Sequence, residues 1–206
     1  KILLRSFMKY GYTELQGCNS FWELVAMGQQ FGLPTRLLDW TYSPLVAAHF
    51  ATEDIDYYDR DGVIWCVNIE DVNANLPPSL RQKLSEQRAD IFTRDILEDV
   101  AHNFTSLQAL SDQPFALFFE PASTVNRIAN QYALFSAVSD PAVTLLDLPE
   151  SESFVRLIIS KKAKLEIRDK LDYINISERM IYPGLDGICR WIARQYSALG
   201  PKYNRR

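Results

Sequence analysis

The stretch that most constrains this chain covers residues 28–51 and reads GQQFGLPTRLLDWTYSPLVAAHFA. It follows Ser20 and Glu23, whose spacing is typical of a capping box and predicts a helix over 21–31. Gly32 suits the left-handed conformation in which many helices end. The sequence therefore predicts that one helix ends where a polar segment begins.

A second helix begins at the other end of this segment. Ser43 is a good N-cap and Pro44 a good first helical residue, because proline lacks only a donor that would be unpaired there. Residues 45–51 are apolar apart from His49, which predicts a buried helix whose histidine is satisfied in the core. A polar loop at the N-terminus of a buried helix suits an anionic ligand. The candidate residues of this loop are Thr35, Arg36, Asp39, Trp40, Thr41 and Ser43.

The order of the other elements predicts the fold class. Residues 63–69, VIWCVNI, are apolar on both faces of a strand and should lie centrally in a sheet. More strands follow a mainly helical first half, among them FALFFE, which ends at Glu120. This order predicts an α+β fold with a mixed or antiparallel central sheet flanked by helices. We expect one domain over 1–206, with C-terminal helices packed on the core and the helix over 185–199 turning its apolar side inwards.

Composition excludes several classes of protein and site. A net charge of -4 provides no overall basic field for nucleic acid. The three cysteines lie far apart, which indicates free thiols in a reducing cytoplasm, and two histidines are too few for a histidine-rich metal site. The sequence has no apolar run of membrane-spanning length, no GxGxxG and no P-loop. We therefore expect a cytoplasmic protein with neither a bound metal nor a membrane partner.

Arg36 and Asp39 admit two interpretations. They could form an internal salt bridge that clamps the loop. Alternatively, Arg36 could hold a phosphate or carboxylate, since a guanidinium presents two donors to paired oxygens, while Asp39 orients it or lies beside a reacting centre. Trp40 is either a core residue or a surface on which a planar ring stacks. The loop hydroxyls are turn and cap groups in the first interpretation and ligand contacts in the second.

Three polar residues further along the chain are candidates for the same site. Arg127 and Gln131 stand four residues apart on a predicted short helix. They form a surface pair or, alternatively, Arg127 meets an anion while Gln131 hydrogen-bonds a sugar hydroxyl or a carboxamide. Glu120 ends a strand, where a carboxylate either caps the surface or lines a cleft.

The segment GLPTRLLDWTYSPLVAAHFAT closely resembles the signature of the FRG domain family, in which Gln-His stands where this chain has Gln29 and Gln30. The run from Asn126 to Phe135 is similar to a later Arg-x-x-x-Gln-x-x-x-Phe element of that family. Residues 182–187, YPGLDG, are similar to its Phe-Pro-x-Leu-Asp-Gly element. The resemblance therefore reaches over most of the chain.

The resemblance implies a protein of prokaryotic, phage or mobile-element origin with one of two activities. At the level of fold it is similar to ADP-ribosyltransferases, which implies an NAD-dependent enzyme. Its catalytic residues would be Asp39, Glu120 and Gln131, and its ligand-binding residues Gln29, Thr35, Arg36, Trp40, Thr41, Ser43 and Arg127. The alternative is a non-catalytic module of a defence-type system that binds a small anion, a nucleotide, nucleic acid or protein. The family's Phe-Arg-Gly element does not occur in this sequence, so we expect that a native N-terminal segment is missing.

Overall fold

The computed structural model describes residues 2–122 and 126–197. The helices are α1 Ile2–Tyr10, α2 Phe21–Gln30, α3 Pro44–Phe50, α4 Ile69–Ala74, α5 Pro78–Gln87, α6 Arg94–Val100, α7 Phe104–Gln108, α8 Asn126–Asn130, α9 Lys164–Tyr173, α10 Glu178–Ile181 and α11 Leu185–Gln195. The strands are β1 Leu37–Thr41, β2 Gly62–Cys66, β3 Phe92–Thr93, β4 Ala116–Glu120, β5 Ala133–Val138 and β6 Val155–Ile159. No helix in the described ranges combines the length and the apolar character that a membrane span requires.

The chain divides into two compact units. The first unit comprises Lys1–Trp40, Val67–Ala122 and Leu134–Phe154, and the second comprises Thr41–Cys66, Ser123–Ala133 and Val155–Arg206. Each unit is therefore assembled from three separate stretches of sequence. The single domain expected over 1–206 stays a prediction.

A four-stranded sheet in the order β1-β5-β4-β3 forms the centre of the first unit. Strands β4 and β5 are antiparallel, with Phe119 opposite Phe135, whereas β3 and β4 are parallel, with Phe92 opposite Phe119. The sheet is therefore mixed, and helices precede and follow its strands in the sequence. These observations confirm the predicted α+β class with a mixed sheet flanked by helices.

Residues 116–119 of β4 are all buried. Successive side chains of a strand point to opposite sides of the sheet, so both faces of β4 are covered. Leu117 and Phe119 contribute to the larger apolar cluster, in which Trp22 is fully buried. Ala116 and Phe118 contribute to a smaller cluster. Within the larger cluster, the Trp22 indole Nε1 donates to the main-chain oxygen of Ala101 at 2.6 Å, so its polar atom is satisfied.

Helix α2 begins and ends as the sequence predicts. The Ser20 hydroxyl accepts from the main-chain N–H of Glu23 at 3.1 Å. Gly32 has a φ of +84°, and the N–H groups of Gly32 and Leu33 donate to the carbonyls of Gln29 and Gly28. This pair of bonds is a Schellman motif. The polar loop expected after it is wrong in part, since residues 37–41 form strand β1.

The two-stranded antiparallel sheet of the second unit pairs β2 with β6. The sequence correctly predicts strand β2, but its expected central position is wrong. Strand β2 has a single partner strand, and Val63 and Trp65 remain 42% and 39% exposed. An apolar sequence on both faces therefore does not show that a strand is buried.

Helix α3 has the predicted start but not the predicted burial. The Ser43 hydroxyl accepts from the N–H of Val46 at 3.3 Å, and Pro44 is the first helical residue. Val46 and His49 are buried, whereas Leu45 and Phe50 are 44% and 40% exposed. A helix of seven residues has two turns, and only the side carrying positions i and i+3 is covered here.

His49 lies in a buried polar network of the second unit. Its Nδ1 is 2.7 Å from Nη1 of Arg168, which is always a donor, so Nδ1 is the acceptor. The other ring nitrogen is 3.1 Å from the Glu53 carboxylate, to which it donates. Both ring nitrogens of this buried histidine therefore have partners, as the sequence predicts. Arg168 also donates to Glu178, and this carboxylate accepts further bonds from Arg194.

Helix α11 packs through this network and not through its apolar side. Its buried residues are Gly187 and Arg194, whereas Ile188, Ile192 and Tyr196 are exposed. The expected inward orientation is therefore wrong for these three residues, whereas Trp191 is half-buried. Residues 198–199 of the predicted helix lie outside the described residues. The ion pairs of Arg194 with Glu178 and Asp172 require the opposite side of the helix to face inwards.

Gly187 is placed where no other residue fits. An added Cβ would overlap the main-chain oxygens of Tyr182 and Glu178. We expect Gly187→Ala to lower the free energy of unfolding by about 1–3 kcal/mol, since the overlap involves main chain that cannot rotate away. Urea unfolding measures this loss. Ala193→Ser, at an exposed position of the same helix, is the control, and an equally small effect of both substitutions would contradict the close packing.

Glu178 gives the second unit a dependence on pH. Burial raises the pKa of Glu178, but hydrogen bonds from Arg194 and the charge of Arg168 outweigh it and bring the pKa below its ordinary value. Its contribution to stability is therefore complete above the ordinary carboxyl range of about 4.3 and is lost as the pH falls through the lowered pKa. We expect Glu178→Gln to cost about 3–5 kcal/mol at pH 7, because it removes the carboxylate that pairs with the buried Arg168 and leaves Arg194 with Asp172 alone.

Urea titrations of the two proteins at pH 7 and pH 3.5 test this dependence. The difference in unfolding free energy should shrink at the lower pH, because the carboxyl of the unfolded chain is protonated there and the wild type then loses part of the stability that its lowered pKa provides. Glu166→Gln removes a carboxylate whose ion pair with Lys170 lies in solvent, so it should change stability far less than Glu178→Gln at either pH. A difference that stays constant with pH would show that the charge of Glu178 is not what stabilises the unit.

Candidate functional site

The predicted site residues divide between the two units. Gln29, Thr35, Arg36, Asp39, Trp40 and Glu120 belong to the first unit. Thr41, Ser43, Arg127 and Gln131 belong to the second. Each of these two groups therefore has its contacts described within its own unit.

Arg36 is bound to main chain and to an aromatic ring. Its Nη2 donates to the carbonyl oxygens of Val138 at 2.8 Å and Ser139 at 2.9 Å. Its guanidinium lies over the Phe104 ring, 4.4 Å from the ring centroid. Among the described residues, these carbonyls and not the Asp39 carboxylate are its acceptors. The expected salt bridge between Arg36 and Asp39 is therefore wrong, whereas the clamping role of the arginine is present.

A large hollow of about 1070 Å³ lies on one side of Arg36, within the first unit. Helices α1, α2 and α7 and the segment 33–36 form its walls. Within the described ranges, its charged lining residues are Arg5 and Arg36, and none of its lining residues there is a carboxylate. Its other lining residues are Leu3, Leu4, Met8, Phe21, Val25, Leu33, Pro34, Thr35, Asn103, Phe104, Thr105, Ser106 and Ala109. The hollow is therefore mainly apolar and carries positive charge only.

A smaller hollow of about 250 Å³ lies on another side of Arg36. Asp140 lines it together with Ser136 and Thr144, so its character is more polar. Burial lowers the pKa of Arg36 below its ordinary value, and the nearby charge of Asp140 opposes this effect. An anion is therefore better accommodated in the larger hollow, which has no carboxylate to repel it.

Gln29, Thr35 and Asp39 form a hydrogen-bonded chain. The Gln29 amide donates to the Asp39 carboxylate at 2.5 Å, and the Thr35 hydroxyl donates to the Gln29 amide oxygen at 2.6 Å. The Thr35 hydroxyl also accepts from the N–H of Leu37 at 3.0 Å. The structure thus brings these three candidates together, and their mutual bonds fix the segment between α2 and β1.

Trp40 is half-buried and packs against Phe118 with the rings edge to face. Its indole Nε1 donates to the Ser136 hydroxyl at 2.8 Å. It lines neither of the two hollows beside Arg36. These contacts favour the interpretation of Trp40 as a core residue. Glu120 is exposed at the end of β4, where the sequence places it.

Each candidate residue of the second unit already contacts main chain or an aromatic ring. The Thr41 hydroxyl donates to the main-chain oxygen of Gln131 at 2.6 Å. Gln131 is only 7% exposed, and its amide donates to the carbonyl of Ile181 at 3.2 Å. The Arg127 guanidinium lies over the Tyr182 ring, 4.7 Å from its centroid. Ser43 is the cap of α3.

Sequence reasoning missed the residues that complete the hollow. Phe104 and Ala109 come from the region of α7, and Leu3 and Met8 come from α1. The sequence shows these residues only as apolar members of short helices. No local pattern indicates that they surround Arg36.

Comparison with known proteins concerns the N-terminal part of the chain. Residues 1–60 match the FRG domain model. This FRG segment contains α1, α2 and Arg36, and the match confirms the resemblance there. The similar elements at 126–135 and 182–187 lie outside the match, and their family relationship stays a prediction. No curated protein and no solved structure matches the chain.

The clamp made by Arg36 of the FRG segment can be measured as stability. We expect Arg36→Ala to lower the free energy of unfolding by about 1.5–3 kcal/mol, because two carbonyls lose a charged donor. Arg36→Lys should fall between this variant and wild type, since an ammonium keeps the charge but not the planar shape. Urea unfolding measures both. Arg5→Ala, at an exposed arginine of the same hollow, is the control, and equal effects at the two positions would contradict the clamp.

Proposed function

We propose that the first unit, which includes most of the FRG segment, is a binding module that holds a small anionic ligand in the larger hollow. One observation carries this proposal: among the residues that the structure describes, only Arg5 and Arg36 bring charge to the hollow of about 1070 Å³. Its volume slightly exceeds the roughly 300–1,000 Å³ that small-molecule sites occupy. The fold positions the Arg36 charge before any ligand arrives, because carbonyls of Val138 and Ser139 hold the guanidinium.

The geometry supports binding better than catalysis. Cleavage of NAD to an ADP-ribosyl group needs an aromatic ring beside the nicotinamide and a carboxylate beside the ribose, where positive charge develops. Trp40 and Glu120 are the candidates for these roles in the first unit, and neither lines the larger hollow. Asp39 is bound by Gln29, and the amide of Gln131 is committed to main chain.

An NAD-dependent ADP-ribosyltransferase-like enzyme is the second candidate. The volume of the larger hollow favours it, since a dinucleotide needs more space than most small ligands. A nucleic acid or a protein as the target, and a role in a prokaryotic or phage defence system, are compatible with either candidate. NAD is therefore included in the test that separates them.

Thermal unfolding of the full 206-residue chain tests the proposal with NAD, ADP, inorganic pyrophosphate and decanoate as probes. A probe at a hundred times its Kd should raise the midpoint by about 5–10 °C, because only the folded state binds it. No free nicotinamide should appear in the NAD sample. Release of nicotinamide would support the enzyme, and the absence of any shift with all four probes would refute the binding module.

A matched pair of charge reversals locates the binding. Arg5→Glu places a carboxylate at the larger hollow, whereas Lys9→Glu makes the same change of charge at an exposed position of α1 outside its lining. We expect the first substitution to abolish most of the shift and the second to preserve it. Equal losses in both variants would show that the probe responds to overall charge and not to the hollow.

A further inference from the structure

The wall of the larger hollow is apolar along three helices. Leu3 and Met8 line it from α1, Val25 from α2 and Ala109 from the end of α7. Leu3 and Met8 are also exposed, so the hollow presents apolar surface to its contents. A ligand that fills it gains most from an apolar body, since removal of apolar surface from water is the dominant favourable term in such a site.

Three of the four uncharged polar side chains in the wall already form hydrogen bonds within the fold. The Thr35 hydroxyl donates to Gln29 and accepts from the N–H of Leu37. The side-chain oxygen of Asn103 accepts two N–H groups from the first turn of α7. The Ser106 hydroxyl donates to the carbonyl of Asn103 and accepts its N–H. The hydroxyls of two riboses would therefore find few unused partners here.

The aromatic ring nearest to Arg36 is also occupied. The guanidinium covers Phe104 at 4.4 Å, and Phe21 and Trp22 pack against the same ring edge to face. A base or nicotinamide that stacks on the face of Phe104 covered by the guanidinium would have to displace Arg36. This contact disfavours a nucleotide beside the arginine.

Arg36 can offer an anion only single donors. A guanidinium has two edges that present paired N–H groups, and both edges include Nη2. In this structure Nη2 donates to the carbonyls of Val138 and Ser139. Nε and Nη1 remain, each able to contact one oxygen. This arrangement suits one oxygen of a carboxylate better than the paired oxygens of a pyrophosphate, which an arginine binds through two parallel bonds.

We propose that the ligand of the larger hollow is an apolar molecule with a single carboxylate, of the size of a medium-chain alkyl acid. The carboxylate lies at Arg36 with Arg5 nearby, and the alkyl body lies along the wall formed by α1, α2 and α7. This inference rests on the proposed binding function and narrows it to one chemical class.

Titration calorimetry of the full chain with hexanoate, octanoate and decanoate, below the concentrations at which they form micelles, tests the apolar body. Affinity should rise by up to about fourfold with each added methylene. Octanoate should bind at least about tenfold more tightly than 1-octanol, which has the same body without the charge. Affinity that does not change with chain length, or equal binding of the alcohol, would overturn the proposal.

A matched pair of substitutions and one phosphate analogue test where the ligand binds and which anionic group it carries. Ala109→Asp places a carboxylate in the wall, and Gln108→Asp places one at the neighbouring exposed position outside it. The first should weaken octanoate by about tenfold and the second by less than about twofold. Equal effects of the two substitutions would overturn the assignment of octanoate to this hollow. Tighter binding of octyl phosphate than of octanoate would overturn the proposal that the anionic group of the ligand is a carboxylate.

Binding measurements with ADP and NAD distinguish this inference from the proposed function. Binding of ADP or NAD without binding of the alkyl acids would overturn this inference and leave the proposed function standing. Absence of binding by all these probes would overturn both. Binding of the alkyl acids alone is the expected result.

Discussion

The contact of Arg36 with the carbonyls of Val138 and Ser139 fixes the position of a half-buried positive charge in the first unit. It joins the start of β1 to the end of β5, and its stacking on Phe104 extends the connection to α7. The positive charge therefore stands at the wall of a hollow through main-chain contacts that no ligand has to form. The same contacts use the nitrogen shared by both paired edges of the guanidinium. Anchoring thus gives a fixed charge and limits the kind of anion that it can recognise.

Local features of the fold could be predicted because their causes are local. The hydroxyls of Ser20 and Ser43 lie within one helical turn of the N–H groups that they cap. Gly32 ends α2 because a glycine adopts a positive φ without strain. The run FALFFE supplies strand β4, as its aromatic and apolar residues predict. Each of these features requires only neighbours in the sequence.

Features that depend on distant parts of the chain could not be predicted. Arg36 was a candidate from the sequence, but its carbonyl and aromatic partners lie far along the chain. An apolar pattern also does not reveal its environment, as β2 shows with both faces partly open. Arg194 turns α11 through ion pairs with Glu178 and Asp172, and no periodicity of apolar residues records this constraint.

The burial of Trp22 and the exposure of Trp65 give the two units different optical properties. Trp22, in the first unit, is inaccessible to solvent, whereas Trp65, in the second, is 39% exposed. The other two indoles, Trp40 and Trp191, also fall one in each unit. A collisional quencher dissolved in water therefore quenches the emission of the exposed indoles more strongly than that of Trp22. The emission that it spares reports on the interior around Trp22, which follows the first unit alone.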